Sequence, residues 1–318
     1  MAGSIMAVIV SGLVGASMLA TTSAHAGPDS GLTRASVDEV AHVRGLTADY
    51  VRTPYGYFHA SCVQRIDQSE SLLSNGSIQR ADGSVRSVAG CRYPHFLRSG
   101  VRVEASEGTT HMPAAYNGYL QLVSTTLSSA ASRLDAKMRV PPNPTVQSGQ
   151  TIYLFPGLED AVNDVTILQP VLGWNGYGAN NWTIASWNCC KSGTIYVGNN
   201  VVVRPSDLIQ GSVVHNVGWG WTITATDQTR ATLPAAILKT SSFGQNLNWV
   251  FAAALETYGV TSCAQFPRTS PAKFTDIQVY LGGGAVTNPI WTIQPGTDPE
   301  TACTGARIVS PSAVNIRY

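Results

Sequence analysis

Trp221-Thr222-Ile223-Thr224-Ala225-Thr226, followed by Asp227-Gln228-Thr229-Arg230, decides the fold. Apolar and hydroxyl side chains alternate, so a period of two sends Trp221, Ile223 and Ala225 to one face and the threonines to the other, as in a half-buried strand. The polar cluster then turns the chain back. The same grammar extends to both sides, with strands predicted over 119–125, 132–140, 151–156, 165–173, 182–187, 193–203, 212–216, 219–226, 231–238, 249–258 and 274–281. Pro, Gly, Asn and Asp clusters separate them, no long helical period intervenes, and no fixed repeat suggests a propeller or solenoid. The expected architecture is all-β, an antiparallel β-sandwich.

Upstream the pattern differs. Met1–Ala26 carries an apolar run from Ile5 to Leu19 and ends Ser23-Ala24-His25-Ala26-Gly27, which reads as a secretory signal with a small-residue cleavage site. Ser36 with Glu39 three residues later, then Val40, Val43 and Leu46, predicts a capped short helix. Ala81-Asp82-Gly83-Ser84 predicts the turn of a hairpin. Residues 27–110 are read as a small disulfide-stapled module, Glu104–Met112 as a linker, and 111–318 as the sandwich.

Charged residues make up 12% of the chain and the net charge is +1, which argues against a nucleic-acid partner and against disorder. The mature protein is expected to be secreted, off the membrane and monomeric. Six cysteines suit an exported chain, and their order suggests Cys62 with Cys91 and Cys263 with Cys303. Cys189 and Cys190 then remain, either as a vicinal disulfide or bonded elsewhere or reduced. CxxC and HExxH spacings are absent, so neither a metal nor another cofactor is expected.

Chemistry has few anchors. The Gly-x-Ser-x-Gly elbow, the phosphate-binding loop and the dinucleotide fingerprint are all missing. What stands out is a lone amide, Gln169, in the apolar run 165–174, and a lone carboxylate, Glu256, in Trp249–Tyr258. Strands rarely bury such groups without a use, because desolvation is costly. By period two Glu256 shares a face with Ala252 and Ala254, small neighbours that leave room above it. Singly, each is ordinarily a solvent-facing amide or a rim charge.

Motif order adds to this. Tyr153-Leu154-Phe155-Pro156-Gly157-Leu158-Glu159-Asp160 before Ile167-Leu168-Gln169-Pro170-Val171, then Trp182–Trp187, Val203–Ile209 and Leu255-Glu256-Thr257-Tyr258 with Phe266-Pro267, resembles the eqolisin-type glutamic peptidases over about residues 116–282. Pro170, Leu172 and Ala252-Ala253 depart from that pattern, and the amino-terminal module has no counterpart in the mature eqolisin domain. The chain is also similar to the neprosin group, which uses two Glu residues and carries an amino-terminal pro-region.

The resemblance implies a concanavalin-like jelly roll and an acid endopeptidase acting on polypeptides, with Gln169 and Glu256 as its catalytic pair. Glu256 would be general base and then acid, and the Gln169 amide would donate to the oxyanion. The two are expected to converge on one concave face. Glu159 and Asp160 are either a solvated loop end or groups orienting Gln169, and Tyr153, Trp174, Trp182 and Trp187 are either core or groove lining. The module is read as a possible inhibitory pro-region, its release helped by protonation of His42, His59, His95 and His111. Two rivals remain. A carbohydrate-binding or carbohydrate-active sandwich would set Glu159 opposite Glu256. A non-catalytic secreted protein would bury Glu256 under Tyr258 or a loop.

Overall fold

In the computed structural model, residues 31–104, 120–160, 166–190, 193–268, 271–282, 284–285, 288–295 and 303–318 are described. The signal segment and nearly all of the expected linker lie outside them. The described strands, in chain order, are β1 (Tyr50–Thr53), β2 (Gly56–His59), β3 (Val63–Arg65), β4 (Ser71–Leu72), β5 (Ile78–Gln79), β6 (Val85–Arg86), β7 (His95–Phe96), β8 (Arg102–Val103), β9 (Gln121–Thr126), β10 (Arg133–Arg139), β11 (Thr151–Glu159) and β12 (Ile167–Trp174). They continue with β13 (Trp182–Cys189), β14 (Ile195–Val197), β15 (Val201–Val203), β16 (Leu208–Asn216), β17 (Gly220–Asp227), β18 (Ala236–Thr240), β19 (Trp249–Tyr258), β20 (Ala272–Leu281), β21 (Gly284–Ala285), β22 (Thr292–Pro295), β23 (Gly305–Ser310) and β24 (Ala313–Arg317).

Two large sheets face each other. One runs β22-β9-β19-β11-β12-β13-β14-β3 and the other β23-β24-β20-β10-β16-β17-β18-β4-β5-β6. Leu154, Leu168, Trp174, Trp182 and Leu255 from the first sheet meet Leu134, Met138, Ile223, Leu238 and Phe274 from the second in one buried core. The alternation over 221–226 works as the sequence requires, because β17 buries alternate positions and leaves its threonines half-exposed.

The first sheet is buried on both faces. All residues of β11, β12 and β13 are buried, and β19 is buried after its first residue. Its second face lies against a third, four-stranded sheet, β1-β2-β7-β8, and a second core cluster joins Tyr50, Tyr55, Tyr57, Phe58 and Phe96 to Tyr153, Phe155, Val171, Trp187 and Tyr258. Two covered faces explain why these strands read as nearly continuous apolar runs instead of alternating.

The residues expected to form an amino-terminal module divide between two layers. β3 pairs in parallel with β14, and β4 in parallel with β18, so both large sheets take a strand from this region. Ile66, Leu72 and Ile78 belong to the inter-sheet core. Residues 31–59 and 95–103 form the covering layer. Helix α1 (Val37–His42) opens with the expected capping box, Ser36 Oγ accepting from Glu39 and the Glu39 carboxylate accepting from Ser36. Disulfides join Cys62 to Cys91, Cys263 to Cys303, and the neighbours Cys189 and Cys190. Among the described residues, no helix is long and apolar enough to cross a membrane, and no His/Cys/Asp/Glu group is placed to hold a metal.

Candidate functional site

Gln169 and Glu256 stand in the same sheet, on β12 and β19, with β11 between them. Both side chains project from the face beneath the covering layer, and both residues are 0% exposed. On β12 the neighbouring proline helps fix this orientation. Pro170 faces the opposite sheet, where a Cβ on Gly211 would lie 2.8 Å from its ring, so only glycine leaves the proline its seat.

A bulge changes the expected neighbours of Glu256. The register between β19 and its partners shifts between Phe251 and Ala253, which sends Ala252 to the inter-sheet core and Phe251 to the face of Glu256. The face therefore carries Phe251, Ala254, Glu256 and Tyr258, and the room foreseen above Ala252 does not exist.

The register also separates the pair. Glu256 lies opposite Tyr153, Tyr153 lies opposite Gly173, and Gln169 sits four residues farther along β12. Two strand spacings and four residues amount to about 10 Å across and about 13 Å along the sheet, or roughly 16 Å between backbones. Gln169 and Glu256 thus share a face without converging on one point.

The gap between them is bridged by the tip of the β1–β2 hairpin, Thr53-Pro54-Tyr55-Gly56. Three consecutive carbonyls accept hydrogen bonds from the face. Tyr153 Oη donates to Arg52 O at 3.1 Å, Tyr258 Oη to Thr53 O at 2.8 Å, and Gln169 Nε2 to Pro54 O at 3.4 Å. Gly56 N–H donates to Tyr258 Oη at 2.8 Å, and Glu256 Oε1 also lies against that hydroxyl, whose single proton serves either Thr53 O or the Glu256 carboxyl. Burial and the neighbouring Glu256 carboxylate hold the Tyr258 hydroxyl well above its ordinary pKa, and burial does the same for Tyr153. Both phenols therefore stay protonated and act as donors. Gln169 Oε1 is buried without a hydrogen-bond partner among the described residues, an unusual state for an interior amide.

The other expected site residues fall in three places. Tyr153 lies on the same face, its ring over Gly173 and Gly176, where an added Cβ would approach to 3.1 Å. Trp187 is also there, paired across the strands with Gln169. Trp174 and Trp182 point the other way, packed edge-on at 5.6 Å in the inter-sheet core, because they pair with each other at positions of opposite parity. They line no groove.

Glu159 is buried at the end of β11 and pairs with Trp249 and Ile167, far along the sheet from Glu256. Two carboxylates do not face each other there, which removes the geometric basis for a glycosidase pair. Asp160 is fully buried and accepts from Asn246 N at 2.8 Å, so it fastens a loop and is no solvated end. The residue that sequence reading undervalued is Tyr258. Its signal was period two, since it follows Glu256 by two positions on one strand.

No protein-family model matches the sequence, and no curated protein matches it. Among solved structures, the chain is similar to scytalido-glutamic peptidase with a peptide-based transition state analog, at 17% identity and a TM-score of 0.48, over 63% of this chain and 98% of that one. It is also similar to SCP-B, a member of the eqolisin family of peptidases in complex with the tripeptide Ala-Ile-His, at 17% identity and a TM-score of 0.47 over the same shares. For the aspergilloglutamic peptidase of Aspergillus niger the identity is 14% and the TM-score 0.35, over 53% of this chain and 98% of that one.

Proposed function

We propose that the chain is a secreted, latent acid endopeptidase of the glutamic type, in which Glu256 activates water and Gln169 donates to a substrate carbonyl. The observation that carries this reading is the capture of a polypeptide backbone. Arg52, Thr53 and Pro54 each give a carbonyl to a side-chain donor of the face, and one of those donors is Gln169. A face so equipped suits an extended peptide better than a sugar or a nucleotide. The secreted, disulfide-bonded state and the acidic working range belong to the same proposal.

In this chemistry water adds to the carbonyl carbon as its proton passes to the Glu256 carboxylate. The Gln169 amide steadies the oxyanion, and Glu256 returns the proton to the departing amine as the C–N bond breaks. Because the pair does not converge, peptide laid between the two has to bring its carbonyl to both. In the closed state Gln169 reaches Pro54 O while Tyr258 links Thr53 O to Glu256, so the bound segment spans the pair without presenting one carbonyl to both, and a substrate has to lie differently from residues 53–54 to be cut.

The test is protein digestion at acidic pH after the covering layer has opened, comparing wild type with Glu256→Gln and Gln169→Ala. Glu256→Gln is expected to abolish turnover, and Gln169→Ala to lower kcat by about 100-fold, as for loss of one oxyanion donor. Undiminished activity in Glu256→Gln would refute the assignment. A second reading, a non-catalytic secreted protein on this fold, is favoured by one observation: Glu256 lies fully buried beneath Tyr258 and the hairpin. Inactivity of the opened wild-type protein on all substrates would establish it.

A further inference from the structure

We infer that the face carrying Tyr153, Gln169, Glu256 and Tyr258 is a receptor for extended polypeptide backbone that the chain fills in cis with its own Arg52–Gly56, and that this occupant belongs to a flap hinged at Cys62–Cys91. The inference deepens the peptidase reading and takes from it only the class of ligand, a polypeptide.

The occupant is held through its backbone. Donors from three strands meet successive carbonyls of residues 52 to 54, while Gly56 N–H returns a bond to Tyr258. Tyr55 is wholly buried in the cluster formed with the face. Only glycine fits at position 56, where φ is +121° and a Cβ would lie 2.3 Å from Phe96 O. Tyr153 and Tyr258 are accordingly positioning residues for peptide backbone, a role separate from any proton transfer by Glu256.

The flap is fastened by polar contacts at its rim. Arg52 Nη1 crosses to Gly149 O at 2.5 Å and Thr151 Oγ1 at 3.1 Å, and within the flap the Glu39 carboxylate aims it by accepting from Arg52 Nη2 at 2.8 Å, Arg52 Nε at 3.1 Å and Tyr57 Oη at 2.8 Å. Arg98 Nη2 donates to Thr257 Oγ1 at 3.2 Å. A cavity of about 430 Å³, lined by Glu39, Arg52, Tyr57, Arg98, Thr257 and Tyr258 among others, runs along this seam. This polar rim surrounds the apolar cluster that Tyr55, Phe58 and Phe96 form with the face, so opening the flap has to part that cluster as well as the rim contacts.

The hinge follows from the topology. The chain leaves the flap through Ala60–Cys62 to enter β3, and returns to it through residues 87–94 after β6. Cys62 and Cys91 are bonded, so these two crossings are tied at one point, and a third leads from β8 to β9. The four-stranded sheet can swing about that point while β3 to β6 stay in the sandwich. Removal of all of residues 27–110 would instead strip Ile66, Leu72 and Ile78 from the main core.

The experiment uses the full chain and a labelled synthetic peptide, Arg-Thr-Pro-Tyr-Gly-Tyr, as the probe. Wild type is expected to bind it weakly, because the face is occupied. Two variants that open the flap, Arg52→Ala with Arg98→Ala, and separately Tyr55→Ala, are expected to bind it at least tenfold more tightly. Adding Tyr153→Phe or Tyr258→Phe to either should weaken binding by roughly tenfold, the worth of one buried hydrogen bond. Hydrogen exchange at residues 50–59 identifies which variant opens.

An opened variant that fails to bind the peptide, or binds it equally well without either hydroxyl, overturns the inference. So would a flap that stays closed in both variants. Binding without cleavage leaves this inference standing and removes the peptidase reading. Cleavage that ignores both tyrosines does the reverse.

Discussion

Acid should loosen the covering sheet through His95. This residue is buried in β7, its ring stacked on Phe58 at 4.6 Å, and its Nε2 has no hydrogen-bond partner among the described residues. Desolvation lowers its pKa from 6.5 to about 4. An opened or unfolded segment takes up a proton as pH falls through 6.5, while the docked segment resists until about 4. The docking stability due to the neutral ring is therefore complete above pH 6.5, declines across that window and is lost below about 4. At about 1.4 kcal/mol per unit, the full swing is about 3 kcal/mol. His59 is shifted in the same direction by burial and adds to the effect with the same sign. The assay is hydrogen exchange of residues 50–59 and 95–103 between pH 4.5 and 7, corrected for intrinsic rates and expressed as an opening free energy. His95→Phe keeps the ring stack and removes the proton site, so its opening free energy should change far less over this range. An equal pH dependence in wild type and His95→Phe would refute the reasoning.

Other substitutions probe the two layers separately. Leu72→Ala removes a fully buried side chain of the main core, so it should cost about 2 to 5 kcal/mol and lower the Tm of the whole sandwich in calorimetry. Arg52→Ala leaves Glu39 without its ion-pair partner at the rim, and a penalty of about 3 kcal/mol should appear as faster proteolytic nicking within residues 31–59, with the sandwich transition unchanged. Gly56→Ala introduces the clash with Phe96 O and should expose Tyr55 and the tyrosines beneath it, read as a gain of accessible tyrosine by chemical iodination.

The architecture was legible because its cues are local. The alternation in β17, the Ser36–Glu39 capping box and the turn at Asp82-Gly83 act over two to four residues, and each appears where the sequence puts it. The β19 strand is recovered with its bounds, Trp249 to Tyr258. Strands β22 to β24 escaped, since β23 buries no residue fully and β24 buries only Val314 and Ile316, an alternation too short to stand out. The division of residues 27–110 was illegible for a different reason. Whether Val63–Arg65 joins a distant sheet in parallel is a non-local pairing that no short window encodes.

The site follows the same logic one level up. Gln169 and Glu256 were recognisable as polar residues in apolar strands, and their common face follows from topology. Their separation depends on strand register, and the neighbours of Glu256 depend on the bulge beside Ala252, a single extra residue that reverses parity for everything before it. A period-two reading anchored at Glu256 is therefore right for Ala254 and Tyr258 and wrong for Ala252 and Phe251. The consequence is chemical as well as geometric. With Phe251 on the face, the ground between Gln169 and Glu256 is apolar, and backbone carbonyls supplied by another segment are what satisfy the donors at its two ends.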